Sequence, residues 1–360
     1  MENPGNTTNT TNSSNANTRP GKARNSRVKQ QQQSKKQQQQ AAAKSPAGKK
    51  PPAATYTASG PSLPQRDLRA TEALSFFDSH CHLDLILERE GAQTASQVIE
   101  RFEGFYEQNF SDEAVDRVNA SLDPTCSLPF HFHFDGCLQV CCFLSGYKVT
   151  KQMVESKPNV WATYGIHPHQ ASDYTDELED EICQLMAHPK TVAWGEMGLD
   201  YFKNMSPAEV QRAVFEKQLK RAVSLGKPLV IHTREADEDT LRIMKENVPP
   251  ETKIHMHCFG SGWEMAEALM AHFPSLWFGF TGVITFGSAQ QSRDVVKQLP
   301  LDRLLLETDS PFMAPVPHRG KTGHPGMIPL VAAKIAEVKQ ETIETVVRVT
   351  RENTHKMYGI

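Results

Sequence analysis

Two histidines near residue 80 are the first residues of this sequence whose types and spacing suit chemistry. The stretch FFDSHCHLD, residues 76–84, joins a short apolar strand to His80 and His82. Because side chains alternate between the two faces of a strand, both imidazoles point the same way. Two such ligands form half of a metal site, which still needs carboxylates and further histidines. Alone, the pair also fits histidines that are hydrogen-bonded at a buried strand end.

Four more ligand-type side chains follow apolar segments later in the chain. They are Glu196, His232, His257 and Asp309, after the segments 191–194, 228–231, 253–256 and 304–307. Four imidazoles and two carboxylates match the ligands of two divalent cations, and a shared carboxylate could bridge them. His255 and Glu307 share faces with His257 and Asp309 but lie one layer deeper, so a structural role fits them equally well.

The elements that would position these side chains are alternating strands and helices. After the opening strand, we predict strands at 137–144, 160–165, 191–194, 228–231, 253–256, 276–280 and 304–307, and helices at 95–110, 176–187, 206–225, 236–247, 264–272, 288–298, 328–338 and 342–357. Apolar strands separated by amphipathic helices require a parallel sheet whose outer face is covered. This pattern predicts an α/β fold.

The number of units favours a closed TIM-type (β/α)8 barrel. Residues 73–360 hold about eight strand-helix units. An open doubly wound sheet would normally carry a glycine-rich phosphate loop after its first strand, and DSHCHLD is not such a loop. Because the carboxyl ends of barrel strands converge on one face, the six candidate ligands would meet there.

Two local signals are weaker. His131 and His133 repeat the HxH spacing, but they precede Asp135-Gly136, which we interpret as a turn, so this pair is a poor metal candidate. The residues SPAE at 206–209 predict a capping box, with Ser206 as the N-cap of the helix 206–225 and proline at its first position.

Charge is distributed unevenly between the two parts of the chain. Residues 1–72 carry twelve Lys plus Arg against three acids, a net +9, whereas residues 73–360 carry a net −12. Residues 1–72 are rich in Asn, Gln, Ser and Pro with few large apolar side chains, which predicts a disordered basic arm. Its lysine pairs suit a nuclear address, a nucleic-acid tether or a solubilising tail. An acidic barrel would need the arm and bound cations to attract nucleic acid.

Composition also bears on the compartment. No apolar run is long enough to cross a bilayer, and the polar N-terminus lacks the apolar core of a signal peptide, so we expect no membrane association and no secretion. The seven cysteines are scattered without a paired CxxC framework. We therefore expect reduced thiols in the nucleus or the cytoplasm.

Six motifs together carry a resemblance to a known family. In order and spacing, DSHCHLD, GIHPH, GEMGLDY, VIHTREAD, IHMHCF and ETDSPF resemble the TatD family of metal-dependent deoxyribonucleases, within the amidohydrolase superfamily. The resemblance covers roughly residues 76–360, and the layout looks like that of the larger animal TatD-domain proteins, which have a disordered N-terminal extension. One departure is Gly260-Ser261-Gly262, because the family usually has a hydroxyl residue directly after HCF.

The resemblance implies a two-metal nuclease. His80 and His82 would bind one cation with Asp309, His232 and His257 the other, and Glu196 would bridge them. Mg²⁺ and Mn²⁺ are the preferred cations, with Zn²⁺ as a further alternative. The implied activity is hydrolysis of DNA or RNA, chiefly from the 3′ end, with nicking as an additional activity. Asp309 would accept the proton of the attacking water.

Substrate contacts are predicted at the barrel mouth. His169 and Arg234 would contact phosphate, and Tyr201 would stack on a base or contact phosphate. The loop 311–326 would follow a phosphate backbone with four basic-type residues, His318, Arg319, Lys321 and His324. A packing or salt-bridge role fits Arg234 equally well, a rim position fits Tyr201, and an ordinary solvated loop fits 311–326.

Two other functions remain open. A different amidohydrolase could cleave a lactone, cyclic amide or phosphotriester on the same barrel, although many of those use a carboxylated lysine where this chain offers Glu196. A non-catalytic scaffold tethered to nucleic acid by its basic arm is the other, but it would have no need for six costly polar groups at one mouth. The sequence leaves the oligomeric state open.

Overall fold

Eight parallel strands follow one another around the sheet in chain order. A computed structural model describes residues 73–122 and 131–360. The strands are β1 (Leu74–Cys81), β2 (Phe132–Cys141), β3 (Val160–Tyr164), β4 (Thr191–Asp200), β5 (Leu229–Arg234), β6 (Ile254–Met256), β7 (Leu276–Phe280) and β8 (Leu304–Leu306). Each strand pairs in parallel with the next. The predicted TIM-type (β/α)8 barrel is confirmed.

A seam between the two ends of the sheet closes the barrel. The backbone amide of Asp309 donates to the carbonyl of His80 at 2.9 Å, and that of His82 donates to the carbonyl of Ser310 at 2.8 Å. Below them, the buried Asp78 carboxylate accepts from the amide of Thr308 at 3.0 Å and from its hydroxyl at 2.6 Å. These contacts place the residues after β1 beside the residues after β8.

Helices cover the outside of the sheet. They are α1 (Leu83–Arg89), α2 (Ala95–Phe110), α3 (Asp112–Asn119), α4 (Tyr147–Ser156), α5 (Asp176–Leu185), α6 (Ala208–Ser224), α7 (Asp237–Asn247), α8 (Trp263–His272), α9 (Gln290–Gln298), α10 (Ile328–Lys339) and α11 (Ile343–Tyr358). The eight predicted helices lie within a few residues of observed ones. The sequence prediction omitted α1, α3 and α4, which are short and lie in the irregular first third of the barrel.

Strand β4 is longer than predicted. It runs through all ten residues 191–200, every one of them buried, and not only through 191–194. The prediction stopped before Gly195 because glycine usually weakens a strand. Gly198, with φ +148°, is required here, because a Cβ would collide with the backbone of His232 on the paired strand β5. The extension makes Glu196 and Asp200 part of one strand.

The interpretation of Asp135-Gly136 as a turn is wrong. Strand β2 begins at Phe132 and includes both residues, with an irregularity in its pairing to β1 at this point. His131 and His133 are exposed, and their Nδ1 atoms contact Asp116 and Asp112 of α3 at 2.6 and 2.9 Å. This second HxH therefore lies away from the other histidines and ties α3 to the start of β2.

The predicted capping box at Ser206 is also wrong. Helix α6 begins at Ala208, and its N-cap is Pro207 without a side-chain hydrogen bond. The buried Ser206 hydroxyl instead donates to the carbonyl of His169 at 3.0 Å and accepts from the amide of Ser172 at 3.2 Å. A tertiary contact has taken the hydroxyl that the local pattern assigned to the helix.

Buried polar side chains fix the strand ends from the helix side. Gln218 of α6 accepts at Oε1 from the amide of Ile166 at 2.9 Å and from the Trp194 indole at 3.1 Å, and it donates to the Ile166 carbonyl at 3.0 Å. One amide thus holds the segment after β3 against β4. The large core side chains around it, Trp194 and Phe215 among them, are fully buried.

Part of the chain lies outside the residues that the structure describes. The disordered basic arm, residues 1–72, lies outside the described residues, as does Cys126. The six cysteines in the described ranges are free, as expected. In those ranges no helix is long and apolar enough to cross a membrane.

Loss of the Asp78 carboxylate should destabilise the barrel strongly. The change Asp78→Ala leaves the buried Thr308 donors without a partner, and we expect a loss of about 2–4 kcal/mol in the free energy of unfolding, measured by urea denaturation. Asp78→Asn, which keeps an acceptor oxygen, should lose less. The exposed Asp173→Ala serves as a control. A loss below roughly 0.5 kcal/mol in Asp78→Ala, the range of ordinary surface substitutions, would contradict the role of this seam.

Candidate metal centre

The six side chains selected from the sequence meet at one end of the barrel. His80, Glu196 and His232 belong to β1, β4 and β5, whereas His82 and His257 directly follow β1 and β6, and Asp309 lies three residues after β8. Five of them are buried, and the His232 side chain is 16% exposed. Their convergence follows from the parallel arrangement, because every contributing strand ends at the same face.

Glu196 lies at the centre of the cluster, and its first oxygen faces one set of ligands. Oε2 is 3.3 Å from Nε2 of His80 and 3.9 Å from Nε2 of His82. Oδ1 of Asp309 lies 3.8 Å and 3.3 Å from the same two nitrogens. Two imidazoles and two carboxylates therefore surround one small space.

The second oxygen of Glu196 faces a different set. Oε1 lies 2.8 Å from Nδ1 of His232, 3.0 Å from Nε2 of His257 and 3.4 Å from Nε2 of His167. His167 was not among the predicted ligands. The sequence did carry a signal, because His167 and His169 both follow a predicted strand, but only His169 was given a role.

The donor set fits divalent cations. Among the residues that the structure describes, there are four groups of three ligand atoms that lie within 4.8 Å of one another, and Glu196 or Asp309 belongs to three of these groups. In the described part of the chain, no hydrogen-bond partner reaches either ring nitrogen of His80, Nε2 of His232 or Nδ1 of His257. Buried polar atoms without partners are costly, and a cation would satisfy those that face the centre.

The protonation tendencies of the ligands differ within this small volume. Burial and the neighbouring His257 lower the pKa of His80 to about 3. Burial also acts to lower the pKa of His82, but the hydrogen bond and charge of Asp309 prevail and raise it to about 9. Likewise Asp200 and Glu196 raise the pKa of His232 to about 9 against the effect of burial. Without a cation, protons would neutralise part of the carboxylate charge.

A layer of supporting contacts orients the ligands. Nδ1 of His82 donates to the carbonyl of Val140 at 2.8 Å, which leaves Nε2 free to bind. Deeper in the barrel, Nε2 of His255 lies 2.9 Å from Oε2 of Glu307, whose Oε1 lies 3.7 Å from Nδ1 of His257. Gly279 makes room for this pair, since a Cβ there would collide with both side chains. His255 and Glu307 therefore fit the supporting role rather than direct binding of the two cations.

His169 and Asp200 form a second pair at the edge of the centre. Nε2 of His169 lies 2.8 Å from Oδ2 of Asp200, and the same oxygen lies 3.7 Å from Nε2 of His232. Burial acts to raise the pKa of Asp200, but its neighbours His232 and His169 and the amide of Lys203 hold it well below its usual range. Asp200 was missed because the predicted strand ended at Trp194, although alternation from Glu196 places Asp200 on the same face.

Phe202, rather than Tyr201, is the exposed aromatic side chain beside Arg234. The Tyr201 hydroxyl donates to Oδ2 of Asp239 at 2.7 Å and accepts from Arg212 at 3.1 Å, so it ties the loop to α6 and α7. Phe202 is 53% exposed, and the Arg234 guanidinium lies 3.9 Å from its ring centre. The hydroxyl of Tyr201 is therefore engaged within the protein, its substrate contact stays a prediction, and the exposed Arg234 remains a candidate phosphate contact.

The loop 311–326 faces the mouth only in part. Nε2 of His318 contacts the carbonyl of Val118 at 2.9 Å, and burial lowers the pKa of His324 to about 4. Both histidines therefore turn toward the protein, which corrects the expectation that all four basic-type residues follow a phosphate backbone. Arg319 and Lys321 are exposed, with the Arg319 guanidinium 4.4 Å from the Phe286 ring centre.

Unusual backbone conformations cluster around the centre. Glu235, Cys258, Asp309 and Met313 have φ between 46° and 54°, a region that non-glycine residues seldom adopt. All four line one cavity that opens beside His232 and His257. Strained residues of this kind persist where a functional geometry requires them.

The fold and this cluster define a class of protein. A TIM-type barrel with histidines and carboxylates gathered at the carboxyl ends of its strands is the architecture of metal-dependent hydrolases. The profile of the family described as TatD related DNase matches residues 77–359. The chain therefore belongs to the TatD family.

Individual relatives agree with this assignment. The human protein named 3′-5′ RNA nuclease TATDN2 is 38% identical over 303 residues, which cover 83% of this chain but only 37% of that protein. YabD of Bacillus subtilis, named an uncharacterized metal-dependent hydrolase, is 40% identical over 209 residues, 58% of this chain and 81% of YabD. The crystal structure of the TatD homolog YJJV from Escherichia coli has the same fold, with a TM-score of 0.65, 24% identity and coverage of 79% and 98%.

Glu196 should control metal binding at both sides of the cluster. Glu196→Gln removes the charge that both ligand sets face, so we expect affinity for both cations to fall at least roughly tenfold, whereas His232→Ala should chiefly empty one side. Metal content after dialysis and calorimetric titration of the metal-free protein would measure this. The exposed Glu264→Gln is the control. Full occupancy of two sites in Glu196→Gln would contradict the bridging arrangement.

Proposed function

We propose that this protein is a divalent-metal-dependent nuclease that removes nucleotides from the 3′ end of RNA or DNA, with endonucleolytic nicking as an additional activity. The observation that carries the proposal is the division of Glu196, whose two oxygens face two separate ligand sets at 2.8–3.9 Å. A carboxylate between two such sets suits a pair of cations a few ångström apart, the arrangement used to hydrolyse phosphodiesters.

The ligands divide between the two cations as follows. His80, His82 and Asp309 hold one, and His232 and His257 hold the other, with Glu196 shared. His167 is an additional candidate for the second set, because its Nε2 lies 3.4 Å from Oε1 of Glu196. Mg²⁺ or Mn²⁺ suits the carboxylates, whereas Zn²⁺ is an alternative favoured by the number of imidazoles.

The chain's own groups perform the remaining tasks. When bound, the cations polarise a phosphoryl oxygen and make a bound water more acidic. Asp309 accepts the proton of the attacking water at the edge of the cluster. His169, held by Asp200, and the exposed Arg234, which lines the cavity beside the centre, contact phosphate oxygens. Arg319 is a further phosphate contact from the loop after β8.

We infer that RNA, rather than DNA, is the preferred polymer. The 38% identical human relative is named a 3′-5′ RNA nuclease, although this chain spans 37% of its length. The free cysteines of the described ranges suit the reducing nucleus or cytoplasm, where such a substrate is found. The barrel portion carries a net charge of −12, so polymer binding depends on cations at the centre and on basic groups such as Arg234.

A panel of end-labelled polymers tests the activity. Single-stranded RNA, single-stranded DNA and an RNA–DNA hybrid, labelled at the 5′ end, should be incubated with the full chain and Mg²⁺ or Mn²⁺. We expect a ladder that shortens from the 3′ end, and a loss of roughly 10³-fold or more in Asp309→Ala or after chelation. The exposed Asp302→Ala should retain wild-type activity.

The same panel separates the alternatives. Fragments cut within the chain would show the endonucleolytic component. Survival of every polymer together with turnover of a lactone, cyclic amide or phosphotriester would replace the nuclease by another amidohydrolase. Inertness toward all of these, with retained binding of nucleic acid, would favour the scaffold.

Phe202 should strengthen binding of unpaired bases. Phe202→Ala removes an exposed ring beside Arg234, and we expect KM for single-stranded substrate to rise roughly tenfold, the effect of losing one stacked base. Met205→Ala, on the same loop and also exposed, should change KM little. Equal effects in the two variants would show that the loop, rather than the ring, matters.

A further inference from the structure

A cavity of about 480 Å³ opens directly beside the metal centre. Its floor contains His232, His257 and Asp309, and its walls come from the loops after β5, β6 and β8 together with Gln291 of α9. This volume lies within the range of small-ligand sites and accommodates a nucleoside. A polymer whose phosphate is held at the centre would place its neighbouring sugar in this space.

The wall formed by the loops after β5 and β6 offers hydrogen-bond acceptors to hydroxyl groups. Oδ1 of Asp237, the first residue of α7, accepts the Ser261 hydroxyl at 2.7 Å. Across the described ranges, this is the only side-chain hydrogen bond of Asp237, and no salt bridge reaches it. The carboxylate therefore retains acceptor capacity toward the cavity that it lines, and the Ser261 oxygen can accept a further hydrogen bond.

The negative charge of this wall disfavours phosphate groups. Asp237 and the neighbouring Glu235 both line the cavity and would repel a phosphate placed against them. Arg234 also lines the cavity, but it lies on β5 two residues after His232, on the side of the centre where the scissile phosphate would be held. The order along the loop thus runs from a phosphate-binding side to a hydroxyl-binding side. Carboxylates are common hydrogen-bond partners of ribose hydroxyls.

We propose that this cavity binds the 3′-terminal nucleoside of the substrate, and that Asp237 together with Ser261 forms hydrogen bonds with its 2′- and 3′-hydroxyl groups. The proposal rests on the proposed nuclease function and names its substrate end: a ribose with both hydroxyls free. The 2′-hydroxyl is the group by which a protein distinguishes RNA from DNA. A terminal 3′-phosphate is disfavoured because it would meet the Asp237 carboxylate.

Mononucleotide binding tests the cavity independently of turnover. Adenosine 5′-monophosphate and its 2′-deoxy analogue should be titrated by calorimetry into the full chain loaded with Mn²⁺. We expect the ribonucleotide to bind roughly tenfold more tightly, the factor typical of one hydrogen bond to a charged group. In Asp237→Asn the ratio should fall toward one, and in Ser261→Ala it should fall partially.

A neighbouring acid provides the matched control. Glu238 follows Asp237 in the first turn of α7, is exposed and does not line the cavity, so Glu238→Gln should keep the wild-type ratio. A ratio near one in the wild type, or an unchanged ratio in Asp237→Asn, would overturn the proposal. If Asp237→Asn fails to fold, the ratio in Ser261→Ala decides, and its persistence at the wild-type value counts against the cavity.

Polymers with altered ends link the cavity to cleavage. One oligoribonucleotide should be prepared with a 3′-terminal ribose, 2′-deoxyribose or 3′-phosphate, and removal of its last nucleotide measured. Wild type should prefer the ribose end, and Asp237→Asn should lose this preference and gain relative activity on the 3′-phosphate end. Cleavage without any dependence on Asp237 would refute the cavity proposal and leave the nuclease standing. No cleavage of any end, with a nucleotide-binding ratio that depends on Asp237, would refute the nuclease and leave the cavity site standing.

Discussion

The contact between the first and the last strand is the constraint on which the rest of the molecule depends. Asp78 binds both the amide and the hydroxyl of Thr308, and the amide of Asp309 donates to the carbonyl of His80 directly above. Without this seam the sheet would be open, and the HxH pair at the end of β1 would lie at one edge with Asp309 at the other. Closure brings His80 and Asp309, which are 229 positions apart in the chain, together around one small space.

That space concentrates groups that are costly to bury. Glu196 and the surrounding imidazoles lie where little water reaches them, and several ring nitrogens face no protein partner within the described residues. Cations satisfy such atoms only in the folded state, so binding energy at the centre is also folding energy. The left-handed backbone of Asp309 and Cys258 shows a further cost at the same place. A cation bound at this centre would therefore stabilise the folded protein.

The acidic character of the barrel determines which groups could attract a polyanion. A polyanion gains little from a surface with a net charge of −12, so attraction must come from the cations and from a few basic groups at the mouth. Arg234 is such a group, and its guanidinium lies over the Phe202 ring, so the proposed phosphate contact and the proposed base contact are neighbours. The same acidity, at Asp237 and Glu235, suits a sugar better than a phosphate. In the proposed function, the orientation of the substrate follows from where the few positive charges lie.

The sequence by itself determined the barrel, most helix positions and the six side chains that converge, because apolar period and position at a strand end are local properties. Tertiary structure alone decided which neighbours each group meets. His167 lies beside the second ligand set because β3 and β4 are adjacent. Ser206 donates its hydroxyl to the carbonyl of His169 and does not cap its helix. The hydroxyl of Tyr201 donates to Asp239, whereas the ring of Phe202 is exposed. Strand β4 continues past Gly195, and β2 through Asp135-Gly136, because pairing with neighbouring strands outweighs local propensity. Such choices depend on contacts between distant segments, which no window of sequence contains.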